Sequence, residues 1–258
     1  MAALQRASAG NRYLFVFFNA GQNEQTDAMW KVFQSAMAKT GGRAEQAAVN
    51  VADPLEQEIV HRFAGVDRAP MPLVLAIAPN GAIMGGFPTK FEESQLLGAF
   101  GTPGMEQTLK ALQDRKLVFV CFQNQSTQQN DAALYGIKEL RADPQFGEAV
   151  VTVFVNPADP NEGRMLTQFQ IASSSNVAQT VMLVPPGSAV GKFMGGTTKT
   201  MITSKLQSAG GCGPGGCAGG KCGPGGCAPP SGSTAAAQPQ EQSAVKKFFS
   251  KVTGAGGR

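Results

Sequence analysis

The hexapeptide Val49-Asn50-Val51-Ala52-Asp53-Pro54 returns 106 positions later as Val155-Asn156-Pro157-Ala158-Asp159-Pro160, identical at five of six places. At the same offset Phe63 meets Phe169 and Phe87 meets Phe193. Turn residues and aromatics that stay in step over such a period imply an internal duplication, two copies of one unit rather than one large fold. Each Asp-Pro pair also reads as a helix start. Asp53 and Asp159 are the expected N-caps, Pro54 and Pro160 take the first helical position, and Glu56 and Glu162 at N3 complete a capping box.

Apolar spacing gives both copies the same element order. In the first, an aromatic run over 13–18 reads as a buried strand. Thr26 is the expected N-cap of a helix carrying Ala28, Met29, Val32, Phe33, Ala36 and Met37 at helical spacing, and Gly41-Gly42 ends it. A strand over 47–51 and a helix bearing Ile59, Val60 and Phe63 follow. Pro79-Asn80-Gly81 then joins strands over 73–78 and 82–86, a strong hairpin signal. Phe91, Leu96, Leu97 and Phe100 mark a last helix, and Thr102-Pro103 starts a separate one. The second copy has strands over 117–122, 150–155, 180–184 and 189–194, a helix through Ala132, Ala133, Ile137 and Leu140, and the turn Pro185-Pro186-Gly187. Ser173-Ser174-Ser175-Asn176 reads as an exposed loop with no further signal.

Composition narrows the function classes. The chain has 258 residues, 42% of them hydrophobic and 16% charged, and no apolar run long enough to span a bilayer. The short apolar run after Arg6 does not suit a secretory leader, so the expected compartment is cytoplasmic. The net charge is +4, and residues 209–258 hold five basic side chains and one acidic, so the remainder is neutral. A weakly basic tail without interleaved aromatics on a sheet argues against nucleic acid.

Four of the five cysteines, Cys212, Cys217, Cys222 and Cys227, recur every five positions in a Gly/Pro-rich stretch. Four thiolates on a pliable chain suit tetrahedral Zn²⁺, and fewer suit Cu(I). Zinc sites usually pair their cysteines more closely, so reducible disulfides, acylation beside the basic segment, or no defined role remain open readings. Beyond a Pro/Ser/Gln-rich linker, Ala244, Val245, Phe248, Phe249 and Val252 share one side of a short basic helix over 243–252. Such a segment fits docking on a protein partner or peripheral contact with anionic lipid.

Asp53-Pro54 followed by Phe63, Pro72 ahead of the strand at 73–78, and Asn80-Gly81 together resemble the thioredoxin-like superfamily. The resemblance covers residues 10–208 in two copies. It implies an α/β fold: tandem thioredoxin-like domains, each a central mixed sheet with flanking helices, plus a disordered Gly/Cys-rich C-terminal tail. The expected boundaries are 10–101 and 116–208 for the two domains, 102–115 for a connecting helix, 209–242 for a flexible tether and 243–258 for the basic amphipathic segment. It further implies that Pro72 is cis and that Met71 and Pro72 flank a groove for an extended partner. The second copy has Ala178 at the matching place, which marks it as mainly structural or an interface.

The departures from the family decide the functional expectation. Its redox chemistry needs Cys-x-x-Cys after the first strand, at a helix N-terminus that lowers the thiol pKa. Here the matching stretches are Phe18-Asn19-Ala20-Gly21-Gln22-Asn23 and Phe122-Gln123-Asn124-Gln125-Ser126-Thr127. Cys121 lies inside a strand and reads as a small buried hydrophobe, Trp30 as core, and His61 as a helix surface residue without a catalytic companion. The carboxylates are helix-start residues, and Gly85-Gly86 and Gly195-Gly196 lack the Lys-Ser/Thr of a phosphate loop. Two classes remain: a non-enzymatic binding or adaptor protein with a soft-metal or thiol tail, and a thiol carrier whose tail supplies the missing cysteines.

Overall fold

The computed structural model describes residues 2–63 and 65–210. These divide into two compact units, the first running to Gln113 and the second beginning at Asp114. Unit 1 contains α1 (Ala2–Ala9), β1 (Tyr13–Asn19), α2 (Glu24–Ala38), β2 (Ala44–Asn50), α3 (Gln57–Arg62), β3 (Leu73–Ile77), β4 (Ile83–Pro88), α4 (Glu93–Leu97) and α5 (Pro103–Gln113). Unit 2 contains β5 (Leu117–Phe122), α6 (Asn130–Ala142), β6 (Val150–Val155), α7 (Gly163–Gln168), β7 (Gln179–Val184), β8 (Ser188–Met194) and α8 (Lys199–Gly210).

Each unit has a four-stranded mixed sheet, ordered β2-β1-β3-β4 and β6-β5-β7-β8. The first pair is parallel and the others antiparallel in both. The β1 strand is buried on both faces, which explains why it reads as an unbroken apolar run. Leu14, Val16 and Phe18 pack with Ala7 of α1 and with Val60 and Phe63. On the opposite face Phe17 meets Trp30 and Phe33 of α2, and Tyr13 and Phe15 meet Phe100. In unit 2, Phe119 and Cys121 pack with Ile137, Leu140 and Ile202, while Phe122 meets Phe169 as Phe18 meets Phe63.

The repeated hexapeptide is a two-step turn. Asn50 and Asn156 each accept from the N–H two residues on, Ala52 and Ala158, at 3.0 Å. Asp53 and Asp159 then cap the following helix by accepting from Leu55 and Asn161 N–H at 2.9 Å. The asparagine ends the strand and the aspartate starts the helix, each by substituting for a missing main-chain partner.

Several local expectations change. The N-cap of α2 is Asn23, which accepts from Thr26 N–H, and Thr26 itself is buried. No capping box forms at Asp53: Glu56 reaches back to the Asn50 N–H, and the segment opens as a 3₁₀ turn, Pro54–Glu56. Trp30 is half-buried rather than fully enclosed. The expected connecting helix is α5, an integral part of unit 1, with Met105, Leu109 and Leu112 buried. Two helices carry too little pattern to be expected from sequence, α1 and α8, yet Ala7 and Ile202 are buried.

Candidate functional site

The entrance to β3 is where main-chain chemistry is left unfinished. The Met71-Pro72 peptide is cis, as expected. Thr89, which follows β4 with φ of +66°, donates its N–H to the Pro72 carbonyl at 2.7 Å. Gln25 in the first turn of α2 donates to the Thr89 carbonyl at 3.0 Å. These contacts lace the start of α2, the end of β4 and the start of β3 together. The Met71 side chain is half-buried against the unit 1 core. Its main-chain N–H and C=O, however, have no partner among the described residues. Pro70 and Pro72 on either side carry no N–H.

Unit 2 repeats the strand-entry hydrogen bond without the cis peptide, and pairs the main chain that unit 1 leaves open. Gly195, with φ of +71°, donates to the Ala178 carbonyl at 2.8 Å, the counterpart of Thr89 and Pro72 at an offset of 106. Val177 is the counterpart of Met71. Its N–H donates to Ser175 Oγ at 3.4 Å, and Ser175 Oγ donates to its carbonyl at 2.9 Å. Buried Gln179 donates to the same hydroxyl at 3.0 Å. On the other side of the strand, Gln128 N–H donates to the Asn176 carbonyl at 2.7 Å, and Ala178 N–H to the Gln128 carbonyl at 3.0 Å. Gln128 reaches there because the β5–α6 loop spans 123–129, whereas the β1–α2 loop spans only 20–23. Asn124 ties that longer loop to Asn156 at 2.9 Å, and Thr127 ties it to Asn130 at 2.7 Å.

The strand order and the strand directions agree between the units. Both units have a thioredoxin-like fold. Neither the β1–α2 turn nor the β5–α6 loop holds a cysteine. In unit 1 the β1–α2 turn is built on asparagine: Asn19 accepts from Gly21 N–H at 3.1 Å and Asn23 caps the helix. Cys121 is the single cysteine among the described residues and is fully buried. Burial pushes its thiol pKa up to about 11, only partly offset by the Thr180 hydroxyl at 3.7 Å. Few thiolates form at neutral pH, so this sulfur is a packing atom. His61 is exposed at the end of α3. No group of three or more His, Cys, Asp or Glu is placed to hold a metal among the described residues. No helix among them is long and apolar enough to cross a membrane. Cys212, Cys217, Cys222, Cys227 and the segment 243–258 lie outside the described residues.

Sequence reasoning brought Met71 and Pro72 forward and missed what closes their counterparts. Ser175, read as exposed loop, is half-buried and bonded on three sides. The signal was present at the repeat offset, where Ser175 and Gln179 replace Ala69 and Leu73.

No family model and no curated protein matches the chain. Among solved structures, chloroplastic thioredoxin z is 14% identical with a TM-score of 0.29, covering 42% of this chain and 88% of that one. Thioredoxin O2 from Arabidopsis thaliana is 14% identical with a TM-score of 0.31, covering 42% and 84%. Human ERp44 is 11% identical with a TM-score of 0.34, covering 81% of this chain and 55% of its own. Likeness of this size carries no argument about activity; topology and register carry the fold.

Proposed function

We propose that the chain is a non-enzymatic binding or adaptor protein in which unit 1 receives an extended peptide segment at Met71 and unit 2 serves as scaffold. The observation that carries this reading is that the N–H and C=O of Met71 have no partner among the described residues. One donor and one acceptor on a strand-entry residue offer a partner a two-bond exchange of the antiparallel kind. The flanking prolines confine that exchange to a single residue, so side-chain contacts around Met71 must supply the rest of the affinity. The test places a photo-crosslinking benzoylphenylalanine at position 71 or 177 of the full chain and offers a displayed pool of short random peptides. Enriched peptides are expected to crosslink from position 71. Equal crosslinking from position 177, or none from 71, sinks the reading.

The four tail cysteines are proposed to capture a soft ion, Zn²⁺ or Cu(I), in a reducing cytoplasm that keeps the thiols free. Because each ligand must lose a proton first, binding is expected to strengthen with pH up to the thiol range near about 8.5. Native mass spectrometry of the reduced protein with each ion supplied separately decides this. Stoichiometric addition should vanish when Cys212, Cys217, Cys222 and Cys227 are all replaced by Ser. Absence of addition, with cycling between dithiol and disulfide, would favour the thiol carrier instead.

A further inference from the structure

The β3 and β7 entrances share the hydrogen bond from Thr89 or Gly195 to the first strand carbonyl. They differ in the preceding peptide, cis at Met71-Pro72 only, and in whether the residue before that carbonyl is paired. The pairing of Val177 traces to two side chains. We infer that Ser175, held by Gln179, is the residue that closes unit 2 to an extended ligand, and that Ala69 and Leu73 at the matching positions leave unit 1 open. The inference rests on the reading that unit 1 binds such a segment at Met71. Ser175 Oγ accepts from Val177 N–H and donates to Val177 C=O, so one hydroxyl takes the place of both main-chain groups of a ligand residue. Gln179 is 5% exposed, and its amide donates to the same oxygen, which fixes the hydroxyl and commits its proton to the carbonyl. The Ala69 side chain has no hydroxyl and the Leu73 side chain no amide, so these positions cannot copy the clamp. Gln128 bonds Asn176 and Ala178 on the opposite side of the strand, so it is not what occupies Val177. The clamp would thus discriminate between two copies of one fold by a closure built into one copy rather than an attraction added to the other.

The experiment uses four full-length chains: wild type, Ala69→Ser/Leu73→Gln, Ser175→Ala/Gln179→Leu, and all four substitutions together. Removing both members of the clamp avoids leaving the buried Gln179 amide unpaired. Amide hydrogen exchange, read residue by residue by NMR, needs no ligand. The Met71 amide is expected to exchange freely in the wild type, and the Val177 amide roughly threefold more slowly, the low end of what one net hydrogen bond supplies because the contact is long. The unit 1 substitutions should slow Met71 by a similar factor, and the unit 2 substitutions should release Val177. Ser175→Thr, which keeps the hydroxyl, should leave Val177 protected. With peptides selected on the wild type as probe, closing unit 1 should abolish capture, and the chain carrying all four substitutions should regain it through unit 2. Unchanged Val177 exchange after Ser175→Ala/Gln179→Leu overturns the inference, as does full capture by a chain whose Met71 amide has become protected. If the wild type selects no peptide that crosslinks from position 71, the binding reading falls while the exchange rates still decide what Ser175 does.

Discussion

Tyr13 shows how much a single residue ties together in unit 1. Its hydroxyl donates to Glu106 on α5 and accepts from the Gly101 N–H at 2.8 Å, while Arg43 lies 4.3 Å over the neighbouring Phe100 ring. Burial first, and then the Glu106 carboxylate, raise the Tyr13 pKa well above its ordinary value. A group whose folded pKa is raised contributes stability below its unfolded pKa, about 10 for tyrosine, and loses that contribution as pH rises through the folded value. Unfolding measured by denaturant between pH 8 and 12 should therefore show an alkaline decline in the wild type that is shallower in Tyr13→Phe. At neutral pH the same substitution should cost roughly 1–2 kcal/mol, because two partly buried groups lose their partner. An identical alkaline slope in both proteins would remove Tyr13 from the account. Cys121 is the opposite case, a residue with latent chemistry that packing suppresses. Its raised pKa and full burial predict that a thiol reagent at pH 8 leaves it intact until denaturant is added. Peptide mass mapping that finds Cys121 modified in the folded protein within minutes would show the opposite.

Among the elements, the strand-to-helix turns at Asn50–Pro54 and Asn156–Pro160 are built alike, so their energetics should be alike. Replacing Asp53 or Asp159 by Ala removes one N-cap bond each, and each should lower the stability of its own unit by about 1 kcal/mol. Calorimetry of the two single variants and the double checks this: the double should lose the sum, since the turns sit in different units. A coupled loss would mean that the units do not respond independently. These turns were legible in sequence because Asn, Asp and Pro each act through the adjacent backbone. The strands β5 and β6 were legible to the residue because they are short apolar runs between polar turns. What escaped depended on partners distant in sequence. The α1 helix has eight residues with Ala7 as its buried contact, and α8 offers little beyond Ile202 to the core, so neither announces a face. Thr26 was misplaced because Asn23, three residues earlier, took the capping role. The candidate site divided the same way. Pro72 could be placed from its position before a strand, whereas the Ser175 clamp required knowing that Gln179 points its amide at the same oxygen.

At the scale of the whole molecule, duplication raises the question of where a self-sufficient unit ends, and α5 gives a sharp answer. Sequence spacing made residues 102–115 a connector, but the helix completes unit 1. Met105, Leu109 and Leu112 are buried, Glu106 holds Tyr13, and Gln113 exchanges two hydrogen bonds with the Ile83 main chain at 2.9 and 2.8 Å. That last pair gives β4, an edge strand, a side-chain amide in place of a neighbouring strand. A chain of residues 1–113 is therefore expected to fold alone and to melt cooperatively, with near-UV circular dichroism reporting Trp30 stacked on Phe33. Ending the chain at Gly101 should abolish that signal. Three buried apolar side chains, each worth about 1.5–3 kcal/mol of burial, are together comparable with a total stability of about 5–15 kcal/mol, and the Tyr13–Glu106 and Gln113 hydrogen bonds go with them. Gln113→Ala in the longer chain separates the edge from the core contribution. It should retain the fold, lose about 1 kcal/mol, and increase self-association at high concentration because β4 is uncovered. A cooperative fold in the chain ending at Gly101 would return α5 to the role of connector.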